Sequence, residues 1–203
     1  MRFVFLLILV VFSHPTFASM EDAIRAVQEG RNEDALREFH QYARAGNPVA
    51  DYWIGTMHMQ GRGVPKDIET AMRWFHKSAR QDHAPAMVVL GRIHADGLNG
   101  KTNLNLARGW FDKAAKAGDH YAMLRMGEIY ISGIGIKANP NIGIRYVKQA
   151  AKTGYPKAMH ILGLAYLRGV GVAVDKQQGF YWLEKAADAG FAPSLEVLKE
   201  LTQ

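Results

Sequence analysis

A 36-residue repeat constrains this chain more than any other feature of its sequence. Glycines, aromatic residues and short polar residues return at that interval in one common register. Four such columns are Gly55, Gly91, Gly127 and Gly163; Trp74, Trp110, Tyr146 and Trp182; Gly61, Gly97, Gly133 and Gly169; Asp67, Asn103, Asn139 and Asp175. Columns of different chemistry in one register indicate four full repeats without insertions, 48–83, 84–119, 120–155 and 156–191.

Each repeat is predicted to form two helices. In the first helix, Ala50, Ile54 and His58 follow at intervals of four residues, which is the spacing of one helix face. A glycine pair, as in "GRGV", "GIGI" and "GVGV", supplies the left-handed backbone that ends a helix. The Asp or Asn column that follows then caps the second helix, because these side chains accept from free backbone N–H groups.

A single helix pair of this size cannot bury its apolar face, whereas stacked pairs bury one another. The sequence therefore predicts an all-α solenoid, in which the Trp/Tyr column fills the space between neighbouring pairs. Residues 19–47 form a degenerate capping helix pair without the glycine loop, and residues 192–203 form a C-terminal capping helix. In that last helix we expect Leu195, Leu198 and Leu201 to face inward.

The repeats resemble those of the Sel-one-like repeat (SLR) family, relatives of the tetratricopeptide repeat. The resemblance rests on stretches such as "AMHILGLAYLRGVGVAVDKQQGFYWLEKAADAG", with Ala, Leu-Gly, Tyr, Gly-x-Gly-Val, Asp, Trp and a closing Lys-Ala-Ala. It implies a right-handed α/α solenoid that acts as an adaptor for other proteins, and bacterial members with signal peptides are often periplasmic or secreted. The chain departs from the family pattern at Gly143, at Gly179 and in the glycine loop of the second repeat.

The first 20 residues, "MRFVFLLILVVFSHPTFASM", have the pattern of a secretory signal peptide. Arg2 precedes an apolar run of about ten residues, whereas a helix that spans a bilayer needs roughly 20. Small residues follow, and we expect cleavage after Ala18. The sequence thus predicts a periplasmic or secreted protein that does not span the membrane.

Composition narrows the classes of function. The chain has no Cys, which excludes a thiol nucleophile and a disulfide framework. Its formal net charge is +6, which loss of Arg2 lowers to +5, and the charges are dispersed along the chain. This mild excess permits an acidic partner but does not argue for nucleic acid. We expect a monomer.

The stretch "ADGLNGKT", residues 95–102, fits a loose phosphate-loop pattern. A phosphate loop needs a strand before it and a long helix that opens at the Lys-Thr pair. Here a predicted helix ends before the loop, and the next helix is capped at Asn103. We therefore interpret Lys101 as a solvated loop residue and expect Asn99 to replace the second glycine as the left-handed residue.

No other motif indicates catalysis, and we expect no catalytic residues, metal or cofactor. H-E-x-x-H, G-x-S-x-G and S-x-x-K are absent. His58 and His94 share one column and could approach one another across stacked helices. A third ligand is missing, so we interpret them as partly buried residues that stand in for Tyr130 and Tyr166.

The remaining candidate site is the surface of the first helices, which line the concave face of helical solenoids. Its exposed columns are predicted to be those that vary from repeat to repeat. The predicted partner-binding residues are Tyr52, Trp53, Thr56, Gln60, Val88, Arg92, Leu124, Arg125, Glu128, His160, Leu164 and Arg168. We expect a protein or peptide partner. The alternative is an envelope accessory protein that binds cell-wall material or regulates a cell-wall enzyme.

Overall fold

The computed structural model describes residues 19–201, and the predicted signal peptide with its cleavage after Ala18 lies outside the described residues. The described chain is all α-helical. Its helices are α1 (Met20–Gln28), α2 (Asn32–Arg44), α3 (Pro48–Gln60), α4 (Ile68–Ala79), α5 (Ala84–Asp96), α6 (Leu104–Lys116), α7 (His120–Ser132), α8 (Pro140–Lys152), α9 (Pro156–Arg168), α10 (Lys176–Asp188) and α11 (Ala192–Leu201).

Successive helices pack against one another in chain order, so each helix pair contacts the pairs before and after it. We call α3, α5, α7 and α9 the first helices and α4, α6, α8 and α10 the second helices. Alanines and large apolar residues from both sets form the core, which runs along the stack in three clusters. This arrangement confirms the predicted all-α solenoid.

The predicted helix boundaries are confirmed at both ends of the loop within each repeat. The first helices end at Gly61, Gly97, Gly133 and Gly169, all left-handed with φ between 68° and 72°. The second helices begin after Asp67, Asn103, Asn139 and Asp175, whose side chains accept from a backbone N–H three residues on. Each cap satisfies a donor that the helix itself leaves free.

The loop of the second repeat differs from the prediction. Asn99 is not left-handed; Gly100 is instead, with φ +89°. In the first and third repeats the second glycine, Gly63 or Gly135, lies against the start of the later helix of the preceding pair. An added Cβ there would approach Asn32 or Leu104 within 3.1 Å. Gly100 has no neighbour within 4 Å of such a Cβ. The turn therefore survives because the left-handed residue moves by one position.

A glycine in the middle of each first helix lets the second helix cross it closely. A Cβ built on Gly55 would lie 2.9 Å from the ring of Phe75, and one on Gly91 would lie 2.7 Å from Phe111. In the third repeat Gly143 faces Gly127, and the Phe position is taken by Val147. The departures at Gly143 and Gly179 thus belong to a second version of the same crossing, in which both helices contribute glycine.

The Trp/Tyr column lies between neighbouring pairs as predicted, but its rings are not fully buried. Trp74, Trp110, Tyr146 and Trp182 are only half-buried. The residue that follows each of them is buried instead: Phe75, Phe111, Val147 and Leu183 have relative exposures of 0–1%. The bulky ring lies at the edge of the stack, where lysines extend over Trp74 and Trp110.

The C-terminal helix also differs from the prediction. Leu195 and Leu201 are 48% and 47% exposed, and only Leu198 is half-buried. The buried residue of α11 is Ser194, which lies at the Ala50 position of the repeat. Because α11 packs mainly on α10, a stripe with leucine at every third position reaches past the covered surface.

The glycine crossing predicts opposite effects of one substitution at two sites. Gly91→Ala should destabilise the protein by about 1–3 kcal/mol, because the added methyl group overlaps Phe111. Gly109→Ala on α6 is the matched control, since its Cβ meets no atom within 4 Å. It should stabilise the protein by roughly 0.5–1 kcal/mol through helix propensity. Urea unfolding monitored by circular dichroism measures both, and equal effects would contradict the close crossing.

Candidate binding surface on the first helices

The structure divides the predicted partner-binding residues into three groups by exposure. Gln60, Arg92 and Arg168 are exposed. The half-buried residues are Tyr52, Trp53, Val88, Arg125, Glu128, His160 and Leu164. The buried residues are Thr56 and Leu124.

The expectation that Thr56 and Leu124 are exposed is wrong. Leu124 is 1% exposed and belongs to the core cluster that also contains Ile144 and Val147. Thr56 is 9% exposed, and its hydroxyl donates to the carbonyl oxygen of Tyr52 at 2.9 Å, which satisfies it without water. Variation between repeats therefore marks positions that are free to change chemistry, whether or not they reach solvent.

The column of Tyr52 and His160 is a contact between successive units. The Tyr52 ring lies 5.8 Å from Phe75 and 5.3 Å from His83, which leads into the next repeat. At the other end, His160 Nδ1 lies 2.9 Å from Ser194 Oγ of α11. These side chains fix the stacking and present only part of their surface to solvent.

Trp53 and Arg125 occupy equivalent places two repeats apart. Trp53 stacks on Phe39 with ring centroids 5.9 Å apart and planes at 7°. The Arg125 guanidinium lies 5.9 Å from the centroid of Phe111, which holds the same position relative to it. Arg125 also forms an ion pair with Glu128. The Trp53 ring and the Arg125 guanidinium are both planar, and each lies over a buried Phe of the preceding pair.

The residues nearest the end of α9 form an apolar groove of about 180 Å³ with residues of the preceding repeat. Ile144 and Ala165 are buried at its floor, with exposures of 1% and 4%. Arg168 is exposed and places a cation at the groove. The complete lining, which we call the apolar groove, is Ile131, Ile144, Ile161, Leu164, Ala165, Arg168 and Val170.

Sequence reasoning found only part of this groove. Leu164 and Arg168 were predicted, and Ile161 lies in a column predicted to be exposed. Ile131 and Val170 were missed, because Ile131 lies one position from the chosen column and Val170 belongs to the glycine loop. The signal for Val170 was present in the sequence: its loop column, Arg62, Leu98, Ile134 and Val170, becomes apolar after the first repeat.

The loop at residues 95–102 lacks the geometry of a phosphate site. Helix α5 ends at Asp96, and α6 begins at Leu104 after the Asn103 cap. Lys101 and Thr102 are exposed between the two helices, so no helix opens at this pair. Within residues 19–201 no three His, Asp or Glu side chains are placed to hold a metal ion. In the same range, no helix combines the length and apolar character needed to cross a membrane.

The histidines do not form the contact between His58 and His94. They form two pairs one repeat apart, and each pair joins a histidine of one helix to a histidine of the first helix that follows it. His40 interacts electrostatically with His58, and His76 with His94. Burial is the main cause that lowers the pKa of all four from the ordinary value. The Nδ1 atoms of His58 and His94 are buried and have no hydrogen-bond partner among the described residues.

The repeat geometry agrees with a known family. The Sel1 repeat model matches residues 48–83, 84–119, 120–155 and 156–191. The chain belongs to the Sel1 repeat family. Sel1 repeat proteins are solenoids that typically serve as scaffolds for protein–protein interaction.

Solved structures agree with this family membership. A Sel1 repeat protein from Oxalobacter formigenes is 32% identical with a TM-score of 0.78, over 84% of this chain and 49% of its own. A protective antigen of uropathogenic Escherichia coli strains that displays an SLR fold is 24% identical with a TM-score of 0.78, over 86% of this chain and 38% of its own. Cysteine rich protein B of Helicobacter pylori is 19% identical with a TM-score of 0.53, over 65% of this chain and 95% of its own.

The chain therefore spans about half or less of the length of the first two similar structures. The comparisons with the Escherichia coli and Helicobacter pylori proteins show the fold alone. A comparison with curated proteins gives no match.

Buried histidines predict that acidification weakens the Sel1 repeat stack. In the unfolded chain imidazole takes up a proton near its ordinary pKa of 6.5, whereas in the fold burial lowers the pKa of His94. The free energy of unfolding should therefore fall as the pH drops from about 7.5 to 5.5 through that value. His94→Gln should reduce this slope in urea titrations at several pH values. An unchanged slope would exclude His94 as a source.

Proposed function

We propose that this protein is a non-catalytic exported adaptor that binds a segment of another protein on its first helices. The observation that supports this best is the apolar groove, which combines buried isoleucine surface with the exposed cation Arg168. Family membership supports a scaffold role, and the N-terminal sequence supports export to the periplasm or outside the cell.

The size of the groove favours one inserted side chain over a complete small molecule. Its volume of about 180 Å³ is below the roughly 300–1,000 Å³ typical of small-molecule sites. Ile161 and Leu164 offer aliphatic surface to an apolar residue, and Arg168 offers charge to an acidic residue beside it. A peptide with a large apolar residue next to Asp or Glu fits this chemistry.

Charged neighbours on α7 extend the surface beyond the groove. Glu128 pairs with Arg125, and its other oxygen lies 3.4 Å from Lys157 Nζ on α9. These side chains are held on packed helices and not on mobile loops. A partner would therefore lose its own freedom on binding, while the adaptor pays little ordering entropy.

Peptide selection tests the groove. A displayed random-peptide library selected on the purified protein should yield sequences with an apolar residue beside an acidic one. Leu164→Gln should weaken the selected peptides about tenfold or more, and Arg168→Gln should weaken them less, because rim charges contribute less than central apolar contacts. Binding is measured by isothermal titration calorimetry.

Glu184→Gln on the second helix α10 is the control, since Glu184 is exposed and lies outside the groove. The control should leave binding and melting temperature unchanged. Peptides that bind the Leu164→Gln protein as well as the parent would contradict this site. If Leu164→Gln lowers the melting temperature as well as the affinity, Arg168→Gln becomes the decisive variant, because the Arg168 side chain is exposed.

Export is tested by fractionation of cells that express the full chain. The expected product has Ser19 as its first residue and is found in the periplasm or the medium. Leu7→Arg, which interrupts the apolar run, should leave an uncleaved protein in the cytoplasm, whereas Leu7→Ile should not. N-terminal sequencing and immunoblots report both outcomes, and an uncleaved parent chain would rule out the predicted signal peptide.

A further inference from the structure

Two open clefts on the second-helix side have cationic rims. Cleft 1 has a volume of about 730 Å³ and is lined by Arg80, Asp82, Met87, Trp110, Lys113 and Lys116, with small residues. Cleft 2 has a volume of about 660 Å³ and is lined by Lys116, Met123, Ile142, Arg145, Tyr146 and Gln149, with small residues. Neither cleft is part of the apolar groove.

The two clefts are the same site in successive repeats. Steps of 36 residues convert Arg80 into Lys116, Met87 into Met123 and Trp110 into Tyr146. Both clefts thus have a methionine beside an aromatic ring and a cation at the end of a second helix. Among the charged residues that line them, four are cationic and only Asp82 is acidic.

One repeat earlier, the chain fills the equivalent position itself. Asp51 stands at the place of Met87 and is fully buried. Lys77, the equivalent of Lys113, lies 2.7 Å from Asp51 Oδ1, and its Nζ also donates to the carbonyl oxygen of Ala43 at 3.0 Å. Gln81 Nε2 donates to the other carboxylate oxygen at 3.3 Å. This position therefore binds a carboxylate within the protein's own fold.

The second repeat keeps the cation and lacks the carboxylate. Lys77 Nζ lies 5.0 Å from the centroid of Trp74, and Lys113 Nζ lies 4.6 Å from that of Trp110. Met87 replaces the acid, and no carboxylate of residues 19–201 pairs with Lys113. Lys116 is paired with Asp112 at 2.7 Å, so Lys113 and Arg80 are the cations of cleft 1 without a carboxylate of the described chain.

We propose that clefts 1 and 2 bind an acidic peptide segment. One carboxylate binds Lys113 as Asp51 binds Lys77, and its aliphatic stem lies on Met87 and Trp110. A further acidic residue of the same segment reaches Arg145 in cleft 2. A peptide fits better than a purely polar polyanion, because small apolar residues, methionine and an aromatic ring form the cleft walls and an acidic side chain has methylene groups to cover them.

Fluorescence anisotropy with a synthetic peptide tests this proposal. The probe is a labelled, flexible peptide that carries two Glu residues separated by a Gly-Ser spacer and no large apolar residue, and its control has Gln in place of both Glu residues. The Glu peptide should bind the full protein at low ionic strength and weaken as salt is added. Lys113→Gln should weaken binding about tenfold, because a charge-assisted hydrogen bond is lost. Lys113→Arg should retain binding.

Lys101→Gln is the matched control, since it removes the same charge from an exposed loop outside both clefts. Met87→Asp gives the second repeat the arrangement of Asp51 and Lys77, so it should close cleft 1 and weaken the peptide as Lys113→Gln does. If that variant has a lower melting temperature, Asp51→Met replaces it. It removes the carboxylate that is paired with Lys77. The first repeat then has the arrangement of Met87 and Lys113, and peptide binding should become stronger.

The proposal would be overturned by equal binding of the Gln peptide, by equal loss for Lys101→Gln and Lys113→Gln, or by no detectable binding by the parent protein. Binding of inorganic polyphosphate through Lys113 in place of the peptide would assign the clefts to a phosphate ligand and also overturn it. Leu164→Gln lies in the apolar groove and should not affect this peptide. If the clefts do not bind the acidic peptide, the proposed adaptor function of the first helices is therefore not affected.

Discussion

The close crossing of the two helices in each repeat is the contact on which the rest of the structure depends. A missing Cβ at Gly55, Gly91, Gly127 and Gly163 brings the second helix near enough for a Phe, Val or Leu side chain to lie against bare backbone. That contact buries the side chain completely in all four repeats. Because interiors pack at crystal-like density, the crossing fixes how the next pair stacks. The capping residues and glycine loops then connect pairs whose geometry is already determined.

The sequence predicted the elements whose signal is a local backbone requirement. Asp67 and Asn103 cap helices, and Gly61 and Gly97 are left-handed, because few residues satisfy those conformations. The Sel1 repeat fold follows from the same columns. Exposure was harder to predict, since it depends on neighbours from other repeats. Leu124 varies between repeats and is buried, whereas Trp110 recurs and is half-buried. The apolar groove also needed Val170, whose loop column becomes apolar after the first repeat but lies outside the first-helix columns.

Differences between repeats are informative because the stacking geometry is held constant. Asp51 and Met87 occupy the same place against equivalent lysines, so the main difference there between the two repeats is the presence or absence of a carboxylate. A buried carboxylate needs a paired cation, and Lys77 with Gln81 supplies the contacts at the N-terminal end. Later repeats carry lysine or glutamine at the Lys77 position without that acid. The solenoid thus uses one local arrangement as a structural pair near its N-terminus and leaves it open further along.

The same comparison explains why the apolar groove lies at the fourth repeat. At two earlier junctions a flat group covers the buried ring of the preceding pair: Trp53 lies on Phe39, and Arg125 lies on Phe111. At the fourth repeat the preceding pair has Val147, and the covering residue is Ile161. A branched aliphatic side chain covers less of its neighbour than a planar group does, and at the second repeat, where this column holds Val89, the preceding pair still has the larger Phe75. Ile144 and Ala165 therefore remain reachable below Ile161, and the groove opens where the second version of the helix crossing begins.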